Sequence, residues 1–576
     1  MEKIIECVPN FSEGRDKETI KRIVEAIAGT SVSTEHGEEG VRVLNVDPGE
    51  ATNRTVVTFV GTPEAVLEAA FRGEKTAGEL IDMRFHHGAH PRSGATDVLP
   101  LIPVAGITLE ECAELARGLA KRIYGELGIP CYCYEAAAFR PGRKNLAVCR
   151  AGEYEALPDK ILDQERKPDF SPESFNDTVA KSGATNVGAR DFLVAVNFNL
   201  NTTSTRRAMA VAFDVREKGR KAREGGKLTG KVLKDADGND IWIHGTLKGC
   251  KAIGWYIEEY GIAQVSMNIT DINATPLHIA FEEVCRAAAA RGLRVTGTEI
   301  VGLVPKRCLV EAGKYYLEKQ QRSLGIPEDE IIRIAVKSLG LGDLKPFNPK
   351  EKVIEYLMAD EAAEAGKERL ARMTLKGFAR ETASESAAPG GGSVSAYMGA
   401  LAAGLGTMVA NLSAHKRGWD DRWKEFSDWA EKGQDIMERL LSLVDEDTRA
   451  FAGIMDVFSM PKSTEEEKAA RAEAMESATL YATQVPLRTM RTALEAMPVA
   501  LAMARDGNPA SASDSGVAAI AALAAIRGAH LNVRINAAGL KDRNTADRLL
   551  DEAKGIEREA AAMESEILAE VNGKIL

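Results

Sequence analysis

Thr55-Val56-Val57-Thr58-Phe59-Val60-Gly61-Thr62-Pro63-Glu64 reads as a β-strand that stops at a glycine and opens directly into a helix. The first six residues are β-branched or aromatic, Thr62 has the chemistry of a helix N-cap, and proline is favoured at the first helical position because its missing N–H has no intrahelical partner there. Upstream, Val41 to Val46 is a second candidate strand, expected to stop at the turn signal Asp47-Pro48-Gly49. The same grammar returns at Asp191 to Asn199, with a helical pattern through Val215, a strand at Ala263 to Ile269 and a helix from Pro276 to Arg291, so a second α/β unit of similar size is expected. Lys167 to Gly183 is a polar, proline-marked connection between them, which puts a boundary near Ala184. Asp235 to Asp240, flanked by Lys231–Lys234 and Ile241–His244, has its glycine in the wrong place for a calcium loop and no closing Glu, so a β-hairpin turn is expected.

A chain of 576 residues is long enough for three or four globular units. From about residue 373 the composition turns alanine-rich and cysteine-free with long 3.6-residue periodicity, the signature of an all-helical domain. The expected organisation is therefore 1–184 and 185–345 as two α/β subdomains, 346–372 as linker and 373–576 as a helical domain. With 44% hydrophobic and 28% charged residues the chain is an ordinary globular protein, and a net charge of −11 argues against a nucleic-acid partner. Met1 to Phe11 has no apolar run, and Ala396 to Leu412, the most apolar stretch, is interrupted by polar residues, so neither export nor a membrane span is expected. The eight cysteines fall between Cys7 and Cys308 without C-x-x-C spacing, which fits reduced thiols in the cytoplasm.

Two places could carry chemistry. His86-His87-Gly88-Ala89-His90-Pro91-Arg92 gathers three of only eight histidines beside an arginine, a loop able to combine a near-neutral acid/base with a carboxylate-binding cation. Gly88 and Pro91 spoil the helical i,i+4 metal-ligand geometry of His86 and His90, and plain surface histidines stay an equal reading. On the helix from Glu425 to Phe458, Leu440, Val444, Phe451 and Met455 form one apolar stripe and Asp447 falls within it, whereas Asp445 and Glu446 are expected toward the flank or solvent. A core-facing carboxylate must be paired or have a raised pKa, so Asp447 is either a salt-bridge member or a general acid. Gly390-Gly391-Gly392-Ser393 before a long Ala/Gly helix could cradle an anion or simply permit close packing. Arg527, His530 and Arg534 form a possible cationic stripe, or a solvated face, and Asn532 and Asn536 a polar pair.

With those residues in view the chain resembles the bifunctional formiminotransferase-cyclodeaminase family. The resemblance rests on Cys7 to Gly14, Thr52 to Thr55, His90-Pro91-Arg92, Arg150 to Glu155, Gly254-Trp255-Tyr256, Ser386 to Val394 and Leu443 to Asp447. It implies an α/β (α+β, ferredoxin-like) transferase of two subdomains, then an all-α helical bundle that pairs with a second copy in a homo-oligomer built from dimers. It implies His90 as the transferase acid/base and Asp447 as the deaminase carboxylate. The resemblance places the folate-binding loop in the region 171–183, about three residues longer than in the animal proteins so that individual contacts do not carry over, and the candidate substrate- and folate-binding set is Arg92, then Ser171, Pro172, Ser174, Phe175 and Gly183 of that region, then, from the residue reading above, Gly390, Gly391, Gly392 and Arg534. The hairpin at Asp235 to Asp240 likewise enlarges a part that is short in animals. The implied substrates are N-formimino-L-glutamate and tetrahydrofolate, the latter as a polyglutamate, with no metal, in histidine breakdown. A folate-independent amidine hydrolase, a folate-binding scaffold and a chain with one active half are the alternatives.

Overall fold

The structure, a computed structural model, describes residues 3–34, 37–50, 52–88, 91–226, 230–358 and 370–575. It forms two compact units, Met1–Cys308 with Gly340–Leu357, and Leu309–Leu339 with Met358–Leu576.

In the first unit the stretch that opens the sequence is a strand, Arg54–Gly61, running into the helix Pro63–Leu80. Thr62 has the N-cap backbone, but its hydroxyl donates to Glu39 Oε2 (2.6 Å) and caps nothing. Arg54–Gly61 pairs with Arg42–Gly49 on one side and with Ile4–Cys7 and Asn10–Phe11 on the other. Those two short strands bridge it to Thr96–Ala105, beside which Thr185–Ala189 and Cys131–Glu135 add in parallel. Arg42–Gly49 runs through the Asp47-Pro48-Gly49 turn signal, because a strand that pairs on one side only tolerates proline. Alternation along the central strands gives the sheet two different faces. Ile5, Cys7, Val57, Phe59, Leu99 and Leu101 are buried in one core with the helices Lys17–Ala28, Pro63–Leu80 and Leu109–Leu127, and Glu6, Val56, Thr58 and Val98 face the other way into a cavity.

The second sheet of this unit is antiparallel, in the order Cys250–Ile257, Ile262–Ile269, Val194–Leu200, Val295–Val301, with the helices Thr205–Val215 and Leu277–Ala289. The expected strand at 191 begins at Val194 and the helix expected from Pro276 begins one residue later. Asp235 closes a tight turn by accepting from the Asp237 and Asn239 amides at 3.0 and 2.8 Å. The strand after it, Trp242–Ile243, pairs with Arg220–Lys221, so the expected hairpin keeps only an isolated bridge at Lys234 and Asp240.

The second unit is built on five long helices, Gly391–Ala414, Trp423–Ser459, Glu465–Asp506, Ala512–Ala537 and Arg543–Ile575. Small residues let their axes approach closely. A Cβ on Gly433 would lie 2.3 Å from Thr407 Oγ1, and Ala-rich faces fill the shared core. Leu309–Leu339 clusters with these helices: Ser427 accepts from the Leu324 amide, Asn411 donates to the Gly325 carbonyl and Lys314 pairs with Glu431. Gly391–Ala414 and Pro509–Ala537 are long and apolar enough to cross a membrane, and more than half of each such window is buried inside this unit.

Candidate functional sites

Asp97, fully buried at the start of Thr96–Ala105, organises the first site. Its carboxylate accepts from Arg54 Nη1 (2.5 Å), Arg150 Nη2 (2.6 Å) and the Ser93 amide (3.0 Å). Those donors lie 43, 53 and 4 residues away in sequence, and all belong to or adjoin the segments that carry the family resemblance. Asn53, with φ of 49°, ties the same region together. It accepts from the Gly14 amide (3.0 Å), donates to the His87 carbonyl (3.0 Å) and offers its own carbonyl to His86 Nε2 at 3.0 Å. Gly88 passes so close to Thr52 that a Cβ would sit 2.3 Å from its carbonyl oxygen. Burial lowers the His86 pKa, so this imidazole is a neutral partner of the Asn53 carbonyl.

Arg92 is nearly buried, and its guanidinium spans Glu155 (2.6 Å) and Glu153 (3.1 Å) while reaching toward His86 Nδ1 at 3.4 Å. His90 lies outside the described residues. The chain on either side of it is held by Gly88 and by this Arg92 cluster. Gly183, with φ of +71°, presses against Ser93 and Gly94, where a Cβ would meet backbone at 2.4 Å, so the end of the 171–183 segment is sutured to the histidine segment through Ala184 N–H to Ser93 O and Ala95 N–H to Ser182 O. Phe175 packs on the cluster of Tyr132, Tyr134 and Val179, and Ser171 donates to the Pro172 carbonyl. None of Arg92, Ser171, Pro172, Ser174, Phe175 or Gly183 lines the cavity beside this region.

That cavity, about 470 Å³, opens on the face of the first sheet opposite the core formed with Lys17–Ala28, Pro63–Leu80 and Leu109–Leu127, and is closed by Ala195, Asn268 and Val301 of the second. Arg54, Arg150 and Arg190 supply cationic wall, and Glu6 and Asp47 supply carboxylates. Burial pushes Glu6 up to about 7, against the pull of Arg190. The sequence reading assigned no role to Glu6, Asp97 or Arg190. Glu6 is the single polar residue of the strand Ile4–Cys7, and four residues without alternation are too few to assign it a face from the sequence.

In the second unit, Asp447, Gly390, Gly391, Gly392, Thr448, Phe451, Asn532 and Asn536 line a pocket of about 200 Å³. Asp447 Oδ2 accepts from Ser393 Oγ (2.9 Å), and burial raises the pKa of its carboxyl above the ordinary value. Gly392 explains the glycine run, since a Cβ there would sit 2.0 Å from Asp447 Oδ1. Asn532 and Asn536 donate to the Gly528 and Ala482 carbonyls at 3.0 and 2.7 Å, which fixes both amides at the pocket wall. Arg534 is exposed and does not line the pocket. Arg527 and His530 are both paired with Glu557. Two expectations for the Asp447 helix are corrected. Phe451 and Met455 are half exposed rather than core, because beyond Val444 the covered side of this helix runs through Ala450, Ile454 and Val457 instead. Asp445 is buried rather than superficial, its Oδ1 accepting from the Leu370 amide (2.6 Å) where the chain enters this unit. Among the described residues no group of three or more His, Cys, Asp or Glu is placed to hold a metal.

Comparison with known proteins matches residues 4–190 to the formiminotransferase domain, N-terminal subdomain, 195–359 to the formiminotransferase domain and 374–555 to formiminotransferase-cyclodeaminase. The formimidoyltransferase-cyclodeaminase of Mus musculus is 42% identical over 542 residues, 94% of each chain. A glutamate formimidoyltransferase of Thermoplasma acidophilum is 41% identical over 317 residues, 55% of this chain and 92% of its own. A methenyltetrahydrofolate cyclohydrolase of Methylorubrum extorquens is 37% identical over 202 residues, 35% of this chain and 97% of its own. With both halves matched in order and a full-length relative at this identity, the chain belongs to the formiminotransferase-cyclodeaminase family.

Proposed function

We propose that the chain is a bifunctional, folate-dependent enzyme of histidine breakdown that transfers the formimino group of N-formimino-L-glutamate to tetrahydrofolate and then cyclises the product to 5,10-methenyltetrahydrofolate with loss of ammonia. The observation that carries this reading is the one-to-one correspondence between single-function relatives and pockets. The glutamate formimidoyltransferase and the cyclohydrolase each match one part of this chain along nearly their whole length, and each part holds its own lined cavity.

In the first reaction the N5 lone pair of tetrahydrofolate attacks the amidine carbon. His90 takes the N5 proton and returns one to the glutamate nitrogen as that carbon–nitrogen bond breaks. Arg92 is committed to Glu153 and Glu155, so it acts as a positioning residue for the His90 segment. Arg54 and Arg150 are likewise engaged by Asp97, so the substrate carboxylates fall to Arg190 of the cavity wall. In the second reaction N10 attacks the same carbon of the amidinium, the protonated Asp447 gives its proton to the departing nitrogen, which leaves as ammonia, and the carboxylate so formed takes up the N10 proton. The raised pKa of Asp447 is the property that step needs, because a carboxyl with an ordinary pKa is ionised at neutral pH.

The test mixes the protein with both substrates and follows glutamate, ammonia and methenyl-folate absorbance together. All three products are expected, with His90→Ala blocking glutamate release and Asp447→Asn stopping only ammonia and methenyl-folate. Ammonia without folate would replace this reading by a hydrolase, and folate binding without product by a scaffold. The name of the Methylorubrum relative favours a second activity of the helical unit, hydrolysis of the methenyl bridge. Supplying methenyl-folate alone and following loss of its absorbance decides that point.

The reading places the enzyme in the cytoplasm as a homo-oligomer built from dimers, acting on folate polyglutamates. A polyglutamate tail that stays bound between steps keeps the intermediate at high effective concentration, and equal escape of mono- and polyglutamate intermediates would contradict this. Leu531 and Ile535, 62% and 72% exposed one turn apart, mark a face for the second copy. Leu531→Asp with Ile535→Asp should lower the mass measured by light scattering, and an unchanged mass would exclude that face.

A further inference from the structure

Glu6 is 4% exposed, faces the 470 Å³ cavity from the strand Ile4–Cys7, and makes no side-chain hydrogen bond to any described residue. The other buried carboxylates of the same domain behave differently. Asp97 is bonded to two arginines and an amide, and Glu74 accepts from Thr185. The charges felt at Glu6 are Arg190, which favours its ionised form, and Glu355, which opposes it. Its strand neighbours in register, Val60 and Ile102, offer backbone pairing and no side-chain donor. A carboxylate held out of water without donors is costly, and the cost falls away when a ligand brings donors to it.

Two parallel acceptor oxygens are complementary to two coplanar N–H groups on one carbon, as in the bidentate pairing of a carboxylate with a guanidinium. Both substrates of the proposed transferase contain such a group. One is the amidinium of formiminoglutamate, and the other is the 2-amino and N3–H edge of the pterin. We propose that Glu6 receives a planar N–C–N donor pair of the transferase substrate at the wall of this cavity, and so sets substrate specificity. The assignment rests on the transferase reading above. It needs no proton transfer by Glu6, which acts as a binding group and stays ionised when donors are bound. Free Glu6 titrates at about 7. Affinity for the paired substrate should therefore weaken as pH falls through that region, since a protonated carboxyl has lost one acceptor.

Glu6→Gln keeps the shape and turns one acceptor into a donor. Its steady-state kinetics, with each substrate varied in turn, should show KM raised about 10- to 100-fold for one substrate, with kcat changed far less. A rise for tetrahydrofolate names the pterin edge, and a rise for formiminoglutamate names the amidinium. The retained kcat for glutamate release by the same preparation reports that the unit carrying Glu6 is folded. Two analogues test the wild-type protein without any substitution: 2-desamino-tetrahydrofolate, which lacks one pterin donor, and N-formyl-glutamate, which lacks one amidine nitrogen. One of them should bind at least tenfold more weakly than its parent in the wild type and equally weakly in Glu6→Gln. Unchanged KM values for both substrates, or no discrimination against either analogue, would each overturn the proposal. A wild-type protein that releases no glutamate would instead remove the transferase reading on which it rests.

Discussion

Ser393 Oγ donates to Asp447 Oδ2 at 2.9 Å across two helices, joining the first turn of Gly391–Ala414 to the middle of Trp423–Ser459. Burial raises the Asp447 pKa and this bond lowers it, so the hydroxyl sets where between those limits the carboxyl titrates.

Removing that hydroxyl should move the titration in a known direction. In Ser393→Ala the ionised form loses a hydrogen bond, so Asp447 keeps its proton to higher pH. If the protonated form delivers the proton to ammonia, the alkaline limb of the cyclodeaminase pH–rate profile shifts upward by about one unit, the equivalent of one hydrogen bond to a charged group. Rates measured from pH 5 to 10 check this, and a downward shift would mean that the ionised carboxylate is the active form.

Gly392→Ala tests how tightly that carboxylate is confined. A methyl group would meet Asp447 Oδ1 at 2.0 Å and Cγ at 2.5 Å, so either the helix start or the acid must move. Overpacking of this kind costs about 1 to 3 kcal/mol, and an ångström of misplacement about 100-fold in rate. Ammonia release should fall by that factor while glutamate release stays at its wild-type rate. Retention of both would show that the pocket adapts.

The parts of this fold legible in the sequence are those whose signal is local. Val57 and Phe59 alternate with Val56 and Thr58 within one strand, and Gly61-Thr62-Pro63 marks its end, so the β-α unit stands out. Periodicity placed Asp447 beside Val444, but it could not tell which part of the stripe a neighbour covers, and Phe451 and Met455 are half exposed. Nor could it show that the Leu370 amide, 75 residues away, would draw Asp445 inward. Asp97 is invisible for the same reason, because its arginine partners, Arg54 at the start of a strand and Arg150 just after a short helix, arrive only when segments distant in sequence come together in the fold.

Asp97→Asn should therefore be a stability variant of the first unit before it is anything else. The neutral amide leaves Arg54 and Arg150, both largely buried, without their counter-charge. Breaking a buried ion pair from one side costs about 3 to 5 kcal/mol. The expected result is a lower temperature for loss of transferase activity and little change in that for ammonia release. Equal thermal inactivation of wild type and variant would mean the cluster is held by other contacts.

Glu74 gives a prediction whose sign follows from its surroundings. It sits on the helix Pro63–Leu80 but points into the core, fully desolvated, where Oε1 accepts from Thr185 Oγ1 (2.7 Å) and Oε2 has no partner. Burial raises its pKa from 4.5 to about 7. The folded state thus holds a proton that the unfolded chain releases near pH 4.5. Stability linked to it is complete below that value and is lost as pH rises to about 7, beyond which roughly 3 kcal/mol has gone. Glu74→Gln removes the titration, keeps an acceptor for Thr185, and puts an N–H where Oε2 stood, toward the Thr96 hydroxyl that otherwise favours the ionised carboxylate. The variant should match the wild type in denaturant unfolding of the first unit at pH 4.5 and exceed it at pH 8. Glu6, which titrates in the same range, cancels from that difference because both proteins contain it. A gap between the two proteins that does not change with pH would mean Glu74 is ionised in the core, stabilised by the Thr185 and Thr96 hydroxyls.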